Sequence, residues 1–63
     1  MDEILKQTIL ELWHISRTAL NSNSHSRYDR MIYIKNELYK SHSSLLDNLS
    51  SKKVWFFIED TLN

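Results

Sequence analysis

The sequence predicts an all-α protein: an antiparallel helical hairpin followed by a shorter C-terminal helix, completed by dimerisation into a helical bundle. Three observations carry that prediction. The 63 residues include no glycine and no proline, so turns that need a positive φ have few routes, and no Asn-Gly or Asp-Gly hairpin signal occurs. Two long segments sort their apolar and polar residues at the helical period of about 100° per residue. There is also no cysteine, so neither a disulfide nor a thiolate metal cage can staple so short a chain. A single small domain is expected, and a second chain is the remaining way to bury more surface.

The first helix is expected at about residues 2–20. On a helical wheel Ile4, Leu5, Ile9, Leu12, Trp13, Ile15, Ala19 and Leu20 fall within roughly half the circumference. Glu3, Lys6, Gln7, Glu11, His14, Arg17 and Thr18 fill the other half, with Leu10 the one aliphatic residue among them. Asp2 and Glu3 at the start and Arg17 near the end suit the helix dipole. Residues 21–26 read Asn-Ser-Asn-Ser-His-Ser and form the expected loop. There Asn21 or Asn23 can take the left-handed conformation that glycine usually supplies.

Ser26-Arg27-Tyr28-Asp29 has the spacing of a capping box, with Asp a weaker closing member than Glu. The second helix is expected at about 27–42. Tyr28, Met31, Ile32, Ile34, Leu38 and Tyr39 share one face, and Asp29, Asn36, Glu37 and Lys40 oppose it. The short connection makes the two helices antiparallel neighbours.

The Ser-His-Ser-Ser run at 41–44 interrupts the pattern, and Leu45, Leu46 and Leu49 then form either an apolar turn or a continuation of the second helix. Ser50 and Ser51 offer a new N-cap. The following Val54-Trp55-Phe56-Phe57-Ile58 is β-branched or aromatic throughout, which favours a strand by propensity. A lone strand would have nothing to pair with, so a helix is expected at about 51–61. Its Val54, Trp55, Ile58 and Leu62 form one stripe while Phe56 and Phe57 point elsewhere, and a helix apolar on several sides must be covered on several sides.

Eight basic and eight acidic residues cancel. The balance is −1 over residues 1–26, +2 over 27–40 and −1 beyond. A neutral chain has no overall pull toward nucleic acid or anionic lipid. No apolar run approaches the ~18 residues of a membrane span, and the acidic start lacks the basic region of a signal peptide. A soluble cytoplasmic protein without a membrane role is the expectation, and the economy of the chain suits a phage or mobile-element product.

Catalytic, metal and cofactor chemistry find no residues to stand on. His14, His25 and His42 are scattered, with no i, i+4 pair and no His-Glu-x-x-His, so each is read as solvated. Asp2-Glu3 and Glu59-Asp60 are adjacent in sequence, so their side chains diverge on a helix. No nucleophile has a base at a recognisable spacing, and a phosphate-cradling loop would need glycine. The nine serines read as caps and polar linkers rather than modification sites.

What remains is surplus aromatic surface and one mixed polar face. Arg30, Tyr33, Glu37 and Lys40 share a side of the second helix, with Arg27 at its start. The plain reading is a solvated face with a Tyr33–Glu37 or Arg30–Glu37 contact. The functional reading is a protein-binding hot spot of Tyr and Arg. The expectation is a non-enzymatic regulator or inhibitor that binds itself and another protein, with Trp13, Arg30, Tyr33, Lys40, Trp55, Phe56 and Phe57 as candidate partner-binding residues. The alternatives are a nucleic-acid-binding protein using Arg27, Arg30, Lys35 and Lys40, and a structural subunit of a larger complex. In architecture alone, the plan matches that of small dimeric four-helix bundles.

Overall fold

The computed structural model describes residues 2–20 and 26–63. Among these residues there are helices and no strands: α1 at Glu3–Ala19, α2 at Arg27–Ser41, a 3₁₀ turn at Ser43–Leu45 and α3 at Ser51–Leu62. Each of α1, α2 and α3 packs on the other two. The bounds depart from expectation only at the ends. Asp2 and Leu20 flank α1 as caps, His42 caps α2, and α3 continues one residue beyond 61. The expected left-handed Asn21 or Asn23 lies outside the described residues, as does His25.

Side-chain oxygens start each helix. Asp2 Oδ1 accepts from the backbone N–H groups of Ile4 at 3.0 Å and Leu5 at 3.3 Å. Ser26 Oγ accepts from Asp29 N–H at 3.0 Å, and Ser50 Oγ from Lys53 N–H at 3.2 Å. Such caps satisfy donors that have no partner in the first helical turn, for about 1 kcal/mol each. Only this half of the Ser26–Asp29 box forms. Behind the Ser50 cap 51–62 is helical, and β propensity yields because no strand among the described residues is there to complete a ladder.

The stretch between α2 and α3 is a turn and not a longer α2. The 3₁₀ turn leads into Asp47, whose φ of 46° is left-handed. Aspartate tolerates that conformation better than most residues with a Cβ, and so it stands where glycine commonly would. The turn tucks Leu46 into the core, with Leu45 and Leu49 packed against it.

The core is one seam. Leu5, Ile9 and Leu12 of α1 meet Met31, Ile34 and Leu38 of α2 and Val54 and Ile58 of α3, with Leu46 closing one end. Each helix therefore buries only the stripe that faces the other two, and nothing among the described residues covers its outer side. This corrects the broad apolar arcs read from the wheel. Ile4 and Ile15, at the edge of the α1 arc, are exposed, as are Ala19 at the end of α1 and Tyr28 and Tyr39 on α2. The stripe that is buried on α1 ends on a polar residue, Ser16.

The wheel puts Ile4 and Ile9 on one apolar arc, whereas the fold separates them: Ile9 is fully buried and Ile4 is 66% exposed. Ile9→Val should cost about 0.5–1.5 kcal/mol, lowering Tm by several degrees in a domain this small. Ile4→Val should stay within about 0.5 kcal/mol of the parent. Thermal unfolding followed by far-ultraviolet circular dichroism separates them, and equal losses would refute the assigned stripe.

Candidate functional site

Five of the seven sequence-derived residues fall into three places on the molecule, and Tyr33 and Lys40 join none of them. Trp13 and Arg30 come together where α1 meets α2. The Arg30 guanidinium carbon sits 3.5 Å from the centroid of the Trp13 ring, a stacked cation–π contact. Its Nε donates to Ser16 Oγ at 2.7 Å, and its Nη2 donates to the Trp13 carbonyl at 2.6 Å. The Ser16 hydroxyl in turn donates to that same carbonyl at 2.6 Å. This closed set explains a fully buried serine on an apolar stripe: the hydroxyl both accepts and donates, so neither of its roles is left unmet.

No carboxylate takes part in the set. Partial burial first, and the neighbouring Arg17 charge second, hold the Arg30 pKa below its usual value. Arginine remains protonated in proteins all the same, so the contact does not titrate in the neutral range. The Arg30–Glu37 contact expected from helical spacing does not form. Tyr33 lies half-buried against the core and Lys40 is exposed, so the polar face is divided and not one cluster.

The second place is a groove between α2 and α3. Tyr28 and Trp55 meet edge to face, with centroids 5.5 Å apart and ring planes at 64°, a favoured aromatic geometry. Together with Ile32, Lys35, Ser51 and Lys52 they line an open groove of about 410 Å³. Two lysines and no acid line it, and the rings supply an apolar floor. Of its residues Trp55 is a partner-binding candidate from sequence, and Lys35 belongs to the nucleic-acid alternative. Tyr28 was read as part of the buried face, yet it is 62% exposed. Lys35 and Lys52 belong to different helices, and only their packing brings them to one groove.

The third place is the outer side of α3, where Phe56 stands 63% exposed. Phe57 turns back against the core. Leu49, Lys53, Phe56, Phe57 and Asp60 line a second groove, of about 270 Å³. Among the described residues no group of three or more His, Asp or Glu side chains is placed to hold a metal ion, and no helix is long and apolar enough to cross a membrane. No family model, curated protein or solved structure matches the chain.

Lysine cannot reproduce a stacked guanidinium that also donates two directed bonds. Arg30→Lys should therefore destabilise the protein by about 1–2 kcal/mol, with a change in Trp13 emission in a Trp55→Phe background. Lys40→Ala should change stability by less than about 0.5 kcal/mol. Urea unfolding followed by fluorescence measures both. If Arg30→Lys matched its parent, the α1–α2 contact would not be a structural one.

Proposed function

We propose that this chain is a non-enzymatic helical protein that acts in the cytoplasm by binding another protein as a regulator or inhibitor. In this proposal α1 and α2 form an antiparallel hairpin, and a second copy completes the bundle. The observation that carries the binding reading is the Tyr28–Trp55 groove flanked by Lys35 and Lys52. Rigid aromatic rings offer a large contact area at little entropic cost, which is why Trp and Tyr recur at the energetic centres of interfaces. Two lysines beside them suit a partner segment that presents apolar side chains between carboxylates, such as one face of an acidic amphipathic helix.

Nucleic-acid binding through α2 is the weaker reading. It needs Arg27, Arg30, Lys35 and Lys40 to act together, yet Arg27 Nη2 donates to Asn63 Oδ1 at 2.8 Å and Arg30 is engaged with Trp13 and Ser16. A phosphate backbone would have to compete for both.

Placing a photo-crosslinking residue at Ile32, in cells that produce the chain, tests the proposal. The expected product is an adduct with a different protein, reduced about tenfold or more by Lys35→Glu and absent when the probe replaces Glu11 on α1. Adducts with nucleic acid alone, together with affinity that falls steeply with salt, would overturn the protein-binding reading. So would the absence of any adduct other than with a second copy.

A further inference from the structure

We propose that the outer face of α3 is a two-fold, self-complementary interface whose occupant is a second copy of the same face, with Phe56 at its centre. This rests on the self-association proposed above and gives it a location, adjoining the Tyr28–Trp55 groove at Lys52, which borders both. At about 100° per residue, Phe56 points roughly 180° away from the Val54–Ile58 stripe that enters the core. It is therefore not a core residue left partly uncovered. A ring 63% exposed at the centre of an outward face offers apolar area that a covering surface would remove from water.

The charges around it say what covers it. Lys52 and Lys53 lie one turn before Phe56, and Glu59 and Asp60 one turn after. Residues seven apart point in nearly the same direction on a helix, so Lys52 and Glu59 flank one side of Phe56 and Lys53 and Asp60 flank the other. A two-fold axis perpendicular to α3 near Phe56 reverses the helix direction and keeps each flank on its own side. Lys52 of each copy then faces Glu59 of the other, and Lys53 faces Asp60. All four charges find opposite partners across the axis. None of them makes an ion pair among the described residues of its own chain.

The groove beside the ring completes the fit. Leu49 and Phe57 give it apolar walls next to Phe56 itself, so each copy presents both a ring and a hollow for the other's ring. An acidic or a basic partner would satisfy only half of these charges. A parallel pairing would set like charges against each other, and such juxtaposition is unfavourable by enough to reject the wrong arrangement.

Sedimentation equilibrium of the purified full chain tests this through a charge exchange. Phe56→Ala should weaken the dimer about thirtyfold or more. Lys53→Glu and Asp60→Lys should each weaken it about tenfold or more, because each sets like charges opposite one another twice per dimer. Mixing these two charge variants should restore a dimer, now mixed, with affinity close to that of the parent. Circular dichroism identical to the parent keeps the comparison independent of folding. A parent chain that is monomeric throughout would overturn both the dimer and this interface. A parental dimer that Phe56→Ala and both charge variants leave intact, or charge variants that dissociate but fail to pair when mixed, would overturn the interface while leaving self-association standing.

Discussion

A helix in this protein can bury only a narrow stripe, because three helices meet along one seam and nothing among the described residues covers their outer sides. That constraint explains features that would otherwise look unrelated. On α1 the buried positions are Leu5, Ile9, Leu12 and Ser16, spaced by four, three and four residues, and Ile4 and Ile15, about a quarter-turn or more off that line, are already at the surface. The same rule holds on α2, where Met31, Ile34 and Leu38 are inside while Tyr28 and Tyr39 are out. Apolar surface that a larger domain would fold inward therefore remains available for contact. The exposed rings are a consequence of size before they are a matter of function.

With so little interior, polar joints carry a larger share of the fold. The Arg30–Trp13–Ser16 set fastens α2 to α1 without an acid. A buried ion pair at this position would need two charges taken out of water, and its attraction seldom repays that fully. One guanidinium, still partly in solvent, instead gains a ring face, a hydroxyl and a carbonyl that α1 already supplies. The aliphatic stem of Arg30 can lie along the seam while its head stays polar. Ser16 is as small as a hydroxyl-bearing residue can be, and that lets Arg30 cross the end of the stripe.

The helices themselves were legible in the sequence because their signals are local: Asp2, Ser26 and Ser50 at the starts, and apolar spacing behind each. The contacts between helices were not. A helical wheel gives the direction of Cα–Cβ and says nothing of reach, so Arg30 was grouped with Tyr33, Glu37 and Lys40, although its long side chain extends to α1. Ser16 could have been found by continuing the Leu5–Ile9–Leu12 spacing one step and accepting a hydroxyl there. The left-handed turn at Asp47 had no glycine to mark it. The groove between Tyr28 and Trp55 joins residues 27 apart in sequence, and no periodicity within one helix can report it.

α3 was the ambiguous segment for a physical reason, and the same reason makes it central to the proposed binding. Its Val54 and Ile58 serve the core, Trp55 turns to α2, and Phe56 turns away from both, so its apolar residues face three directions. If a second copy covers Phe56, the two-fold axis that keeps Lys52 on its own flank sets both Tyr28–Trp55 grooves along the same flank of the dimer. A partner carrying two suitable segments would then meet both grooves at once, with the second engagement favoured by proximity alone. Lys52 ties the two surfaces together, since it lines the groove and also flanks Phe56. A carboxylate bound in the groove competes for Lys52 with Glu59 of the second copy. Lys53 and Asp60 lie on the far flank, outside that competition, and so the proposed interface would keep half of its charge pairs with the groove filled.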